Sequence, residues 1–237
     1  MQDSHRYVML LSSLPYHGPL FSAKVTPLSR LRLQERLSLL QPEDLREVDT
    51  MAGLLDWYRH PVQKSDEEIV RLAKRVIPML RSSFARDLLT WRLEMRTLIA
   101  ALRRRRDGEN SGAAVQEWGY GRWLSHISKY WNEPYFRLEG VHPWLPEVVR
   151  FMQGGDPVGL ERHMLETVWN HLQRIEDGHV FDYERVLIYL FRWDLVGRWT
   201  VADGEVAAAR YADLVAAGLQ QTQRALHSAL GGEADGN

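Results

Sequence analysis

The stretch from residue 84 to residue 102, FARDLLTWRLEMRTLIAAL, decides the fold class of this chain. Its large apolar residues recur at alternating steps of four and three, at Phe84, Leu88, Trp91, Met95, Leu98 and Leu102. An α-helix has about 3.6 residues per turn, so this spacing places them all on one helical face. The stretch therefore predicts a long amphipathic helix, extending to Arg106, that packs against other helices.

Helix signals also dominate the rest of the chain from residue 26 onward. Ser65 and Glu68 form a capping-box pattern, which predicts a helix start there. Pro78 predicts a kink or an end in that same helix. Predicted helix starts lie at Thr26, Pro42, Ser65, Ala114, Pro146, Pro157, Asp182 and Val206. The sequence thus predicts an all-α fold of amphipathic helices.

The predicted organisation is two helical lobes preceded by a short extended segment. Residues 1–25 contain the strand-like run Tyr7–Leu11 with Pro15 and Gly18 after it, which favours an extended segment. The first lobe is predicted over 26–106, a polar linker over 107–113, the second lobe over 114–230 and a disordered tail over 231–237. A faint internal echo, which aligns 84–102 with 181–199, is consistent with two similar lobes.

Composition excludes several classes of function. Thirty basic residues against 31 acidic ones leave a formal charge of −1, so no basic excess indicates a nucleic-acid partner. The chain has no cysteine, which excludes disulfides and thiolate metal sites. No phosphate-binding loop is present, and the longest apolar run, Val186–Phe191, is too short to span a bilayer. We expect a cytoplasmic protein without a cofactor or direct membrane insertion.

Two groups of charged residues and two tryptophans are the candidate site residues. The consecutive residues Arg103, Arg104, Arg105 and Arg106 are predicted to bind an acidic partner, although cations also stabilise a helix C-terminus. Asp194 lies in a nearly all-apolar helix, and Arg198 one turn later is its predicted ion-pair partner. Trp144 and Trp199 are predicted to be structural anchors.

One polar helical face is the alternative candidate for chemistry. His163, Glu166 and Asn170 share a face of a predicted helix, and His171 follows directly. A metal site would need further nitrogen or oxygen ligands from other helices, and a solvated polar face has the same pattern. An enzyme or metal protein using His163, Glu166 and His171 therefore stays open beside a binding role.

The second half of the chain carries a series of aromatic and polar motifs. They are Asn132-Glu133-Pro134-Tyr135-Phe136-Arg137-Leu138, His142-Pro143-Trp144, Leu160-Glu161-Arg162, Trp169-Asn170-His171-Leu172, and the run from Phe181-Asp182-Tyr183-Glu184-Arg185 to Arg198-Trp199. With the N-terminal stretch Tyr7–Pro15, they resemble a bacterial family of uncharacterised function whose members are often encoded among V-type ATPase genes.

That family is similar to the C-type (in eukaryotes d-type) component of the ATPase central stalk, an all-helical socket between the membrane rotor ring and the central shaft. The resemblance implies a non-enzymatic subunit or assembly factor of a bacterial V-type ATPase, whose partners are other subunits of the complex. It also implies a place at the inner membrane through the complex. The socket itself has three lobes, whereas this chain suits two. The alternative is a helical adaptor unrelated to ATPases.

Overall fold

The computed structural model describes residues 2–55 and 64–201. In these residues the helices are α1 (Gln2–Ser13), α2 (Arg30–Leu37), α3 (Pro42–Leu55), α4 (Asp66–Val76), α5 (Ser83–Arg106), α6 (Val115–Trp118), α7 (Leu124–Lys129), α8 (Leu145–Gln153), α9 (Pro157–Arg174) and α10 (183–201). Three short 3-10 turns, Leu20–Ser22, Ile77–Met79 and Pro134–Arg137, join them. Helical residues make up 70% of the described chain and none of it is a strand, which confirms the all-α prediction.

Local capping signals place most of the helix starts. Ser65 and Glu68 form the predicted capping box at α4, and Asp156 caps α9 by accepting a hydrogen bond from the backbone of Gly159. Asp182 caps α10 in the same way, because its Oδ1 accepts from the backbone N–H of Arg185 at 2.8 Å. The predicted start at Thr26 is wrong: α2 begins three residues later than expected, with Ser29 as its N-cap.

The N-terminal segment is helical where we expected an extended chain. Residues 2–13 form α1, and only the residues that follow are irregular. Leu10 is fully buried, and Tyr7, Leu11 and Leu14 pack against the core, whereas Met9 is 60% exposed. This burial follows the helical spacing i, i+3, i+4 and i+7 instead of the alternation of a strand. The short apolar run fits both patterns, and packing of the helical face decides between them.

The predicted helix over residues 114–131 is divided into α6 and α7. Gly119 lies so close to Val115 and Leu124 that an added Cβ would be 2.6 Å from the Leu124 Cδ2 atom, and Gly121 has a φ of +112°. An L-residue rarely adopts that φ, so the chain turns sharply between the two helices. The two glycines therefore divide the helix that was predicted to start at Ala114.

The two predicted lobes share one hydrophobic core. Its buried residues come from α1 to α10 and form one continuous cluster. α10 packs on the N-terminal part of the chain: the Trp193 indole donates to the Leu28 carbonyl at 2.9 Å, and the Tyr189 hydroxyl donates to the Pro15 carbonyl at 3.1 Å. The two stretches that align with each other in the sequence, 84–102 and 181–199, lie largely in α5 and α10, and both helices contribute fully buried leucines. The boundary at 107–113 does not separate two cores within the described residues.

Some predictions fall outside the described chain. The helix at 206–230 and the tail at 231–237 lie there, as does the end of the helix predicted to follow Pro42. Among the described helices, none combines the length and the apolar character needed to cross a membrane.

Candidate partner-binding site

The four consecutive arginines at the end of α5 do not form one exposed cluster. Arg103 and Arg106 are exposed, whereas Arg104 and Arg105 are partly buried. Successive residues of a helix point about 100° apart, so four neighbours face four directions. The run therefore does not present four exposed guanidinium groups to one partner. Their role in partner binding stays a prediction, and it rests on the two exposed members.

Arg104 joins α5 to the start of α4. Its guanidinium lies 3.8 Å from the Asp66 carboxylate, 3.6 Å from that of Glu67 and 3.5 Å from that of Glu109. The same group stands over the Trp118 ring, 4.5 Å from its centroid. Arg104 thus neutralises an acidic helix start and covers an aromatic ring, which are contacts within the fold.

Arg105 holds the turn between α7 and α8. Its Nη1 donates to the carbonyls of Trp131 at 2.9 Å and Glu133 at 2.7 Å, and its guanidinium lies 4.7 Å from the centroid of the buried Phe136 ring. The turn needs support, because three successive residues, Tyr135 to Arg137, have φ between 52° and 57°. Left-handed backbone costs about 1–2 kcal/mol per L-residue.

The predicted ion pair in α10 is present. Arg198 Nε donates to Asp194 Oδ2 at 2.8 Å, and Asp194 is mostly buried. Burial raises the pKa of Asp194, while the charges of Arg198 and Arg92 oppose that rise. The pair therefore compensates a buried carboxylate and has no free acid or base to offer.

The two tryptophans predicted to be anchors are packed into the fold. Trp144 is 9% exposed, and its carbonyl is 3.2 Å from His163 Nε2. Trp199 meets Phe21 edge to face, with ring centroids 5.0 Å apart. These contacts join α8 to α9, and the end of α10 to the segment before α2.

In the described residues the polar face of α9 does not gather its three candidate ligands at one point. His163 is directed to the Trp144 backbone, Glu166 is exposed, and His171 stacks on Trp91 with ring centroids 3.6 Å apart and planes 8° apart. Burial, followed by the nearby charge of Arg174, lowers the pKa of His171 to about 4, so the stacked ring is neutral at pH 7. The two histidines have separate structural contacts, and within the described residues these three side chains do not bring ligand atoms together.

A different group has ligand atoms close enough to share a metal ion. In the described chain, His179, Asp182 and Glu184 place one ligand atom each within 4.8 Å of one another. Their existing contacts explain them without a metal: His179 Nδ1 lies 2.7 Å from the capping residue Asp182, and Glu184 accepts from Ser82. The sequence analysis missed this group, and the spacing H-x-x-D-x-E at the start of α10 was its only signal.

The strongest candidate for binding is an aromatic groove of about 590 Å³ beside this group. It lies between the segment after α1, the C-terminal half of α9 and the start of α10. Three exposed apolar side chains line it: Tyr16 at 86% exposure, Val180 at 64% and Phe181 at 46%. Exposed aromatic and aliphatic side chains gathered in one groove are typical of protein interfaces.

The floor of the aromatic groove carries charge. Glu176 forms ion pairs with both Arg185 and Arg192, which leaves one positive charge in excess within this trio. His17 lies against the Tyr189 ring, with centroids 4.1 Å apart; burial and then the Arg192 charge lower its pKa to about 4. A neutral histidine and one surplus guanidinium fit a partner that brings an apolar anchor beside a carboxylate.

A wider cleft of about 900 Å³ adjoins the aromatic groove, since His179 lines both. In the cleft, buried Glu94 accepts from the backbone N–H of Arg122 at 2.9 Å. About one turn further along α5, Thr97 accepts from the backbone N–H of Tyr120 at 2.8 Å. These two side chains hold the loop between α6 and α7 on α5. The polar groups of the cleft therefore position backbone, and we assign no chemistry to them.

Comparisons with protein-family models, with curated proteins and with solved structures give no match to this chain.

Proposed function

We propose that the chain is a non-enzymatic subunit or assembly factor of a bacterial V-type ATPase, similar to the C-type socket of the central stalk. Its partner in this role is another subunit of the complex, at the rotor ring or the central shaft. One observation supports the proposal. The residues of the motifs that carry the resemblance form helix caps, turns and core contacts.

The two longest motifs illustrate this use. In Asn132–Leu138, Phe136 is fully buried and forms the turn that Arg105 holds. In Phe181–Leu190, Asp182 caps α10 and the residues from Val186 onward are buried. Motifs with such roles are expected of a rigid helical scaffold, whereas an enzyme's motifs converge on a reacting centre.

The aromatic groove supplies a contact surface for such a scaffold. Tyrosine, tryptophan and arginine are the residues that most often dominate binding energy at protein interfaces, and the groove contains all three. The same groove also favours the second candidate, a helical adaptor unrelated to ATPases, because the surface selects a protein partner without naming its complex.

Affinity purification of the tagged full chain from its native host, with quantitative mass spectrometry, tests the proposal. A Val180→Asp variant places a charge in the aromatic groove, and Val158→Asp makes the same change at an exposed position of α9 that does not line it. We expect V-type ATPase subunits to be enriched with the wild type and with Val158→Asp, and to be lost with Val180→Asp.

The outcomes separate the two candidates. Enrichment of other proteins in place of ATPase subunits, with the same loss in Val180→Asp, would support the unrelated adaptor and refute the ATPase role. Equal enrichment of ATPase subunits by both variants would keep the complex and refute the groove as its contact surface. Circular dichroism of both variants establishes that they are folded.

A further inference from the structure

One face of α5 forms a second, strongly basic groove. This basic groove has a volume of about 380 Å³ and lies between α5, the start of α4, α9 and α10. Five arginines and two aspartates line it: Arg92, Arg96, Arg103, Arg104 and Arg198, with Asp66 and Asp107. Arg92, Arg96 and Arg103 are four and seven positions apart on α5, so they lie on the same helical face. The tertiary structure therefore builds an arginine cluster that the run 103–106 does not show.

The arginines of the basic groove differ in their partners. Arg96 donates to Asp66 at 2.9 Å, and Arg198 pairs with Asp194. Arg92 contacts the Met95 sulfur at 3.4 Å, and neither Arg92 nor Arg103 has a carboxylate within ion-pair distance in residues 2–55 and 64–201. Two guanidinium groups in one groove are thus available to acidic groups.

The surroundings of Arg92 disfavour its charge. Burial lowers the Arg92 pKa to about 10, and the charges of Arg198 and Arg96 act in the same direction, while Asp194 opposes them. A carboxylate entering the groove would pair with the desolvated guanidinium and offset the repulsion from the neighbouring arginines. Because Arg92, Arg96 and Arg198 repel one another in the folded chain, an anionic group bound in the groove would be favoured.

Apolar side chains also line the groove between the two available arginines, beside the Arg96–Asp66 ion pair. They are Met95, Ile99, Ala100 and Met164. Arg92 and Arg103 are eleven residues apart on α5, which corresponds to about 16 Å along the helix axis. From this pattern we infer that the basic groove binds an acidic amphipathic helix of a partner protein, with carboxylates about three turns apart on either side of a small apolar stripe.

This inference rests on the charge and spacing of the groove and holds for an ATPase subunit or for any other protein partner. A helix fits because its own rise matches that of α5, so residues i and i+11 of the partner face Arg92 and Arg103 together. Arginine also suits the carboxylate, since its planar fork can donate two parallel hydrogen bonds.

Fluorescence anisotropy with the full chain provides the test. The probe is a labelled helical peptide of about 20 residues with glutamates at positions i and i+11 and leucine and alanine between them; a second peptide has glutamine at both positions. Arg103→Glu is the test variant. Arg75→Glu is the control, because Arg75 is also an exposed arginine in the last turn of a helix, α4, and does not line the groove.

We expect the glutamate peptide to bind the wild type and the Arg75→Glu variant with affinities within about twofold of each other. Arg103→Glu should weaken binding about five- to tenfold at low ionic strength, and added salt should reduce that difference. Replacement of the peptide's glutamates by glutamine should weaken binding to the wild type by a similar factor.

Three results would overturn the inference. Equal weakening by the two variants would mean that overall charge, and not the groove, attracts the peptide. No binding of the glutamate peptide to the full chain would mean that the groove is closed to such a helix. Displacement of the peptide by single-stranded RNA at a lower concentration than by unlabelled peptide would assign the groove to nucleic acid.

Discussion

Replacement of Arg105 by alanine is the sharpest test of how this fold is stabilised. The change removes two hydrogen bonds, to the carbonyls of Trp131 and Glu133, and the contact with the Phe136 ring. Hydrogen bonds to a charged group contribute about 1.5–3 kcal/mol each, and we take the lower end because Arg105 is partly in water. With a small cation–π contribution, the expected loss in the free energy of unfolding is about 3 kcal/mol.

For a chain of this length, a loss of that size lowers the melting temperature by about 6–12 °C. Arg106→Ala is the matched control, since Arg106 pairs only with its exposed neighbour Asp107, and we expect its melting temperature to fall by less than about 2 °C. Thermal and urea unfolding followed by circular dichroism measure both. Arg105→Lys should fall between them. If Arg105→Ala and Arg106→Ala unfold together, the structural role given to Arg105 is wrong.

Two further substitutions test the cleft next to the aromatic groove. Gly121→Ala should lower the free energy of unfolding by about 3 kcal/mol or more, because the φ of Gly121 is positive and the new Cβ would overlap the Glu94 side chain. The control, Gly140→Ala, places its Cβ in open space and should change the free energy of unfolding little. Equal urea midpoints for the two variants would contradict this prediction. His171→Phe keeps a ring on Trp91 without a titrating group. Because the His171 pKa is lowered from 6.5 to about 4, its contribution to stability is present above pH 6.5 and is lost as the pH falls towards 4. Urea unfolding at pH 7 and at pH 4.5 should therefore show a smaller loss on acidification for His171→Phe than for the wild type, and an equal loss would refute the assignment.

Helices with strong local signals could be predicted from sequence. Ser65 with Glu68, Asp156 and Asp182 each mark a helix start that the structure contains, because a capping side chain acts on backbone only two or three residues away. The six-turn apolar stripe of α5 is equally local information. These elements need no knowledge of the rest of the fold.

The N-terminal run shows where local information ends. Five apolar residues from Tyr7 to Leu11 fit a strand or a helical face, and their sequence contains no further evidence to decide. Burial of Leu10 and Leu14 against the other helices, with Met9 left outside, selects the helix. The deciding contacts come from distant parts of the chain.

The candidate sites show the same division. The run of four arginines is visible in the sequence, but their separate contacts are not. Arg104 pairs with the acidic start of α4, Arg105 donates to a distant turn, and their two neighbours are exposed. Nor is the basic groove visible in the sequence, since its Arg92 and Arg198 are more than a hundred residues apart in the chain. The aromatic groove likewise combines Tyr16 with Phe181, which only the packing of α10 across the molecule brings together.

The all-α class, the long amphipathic α5, most helix starts and the pairing of Asp194 with Arg198 could be predicted from the sequence, because each depends on periodicity or on contacts within about one helical turn. The single shared core, the helical state of α1 and the exposure of individual arginines could not be predicted in this way. Those properties depend on how helices are oriented against one another. Orientation is set by the burial of side chains that are far apart in the sequence.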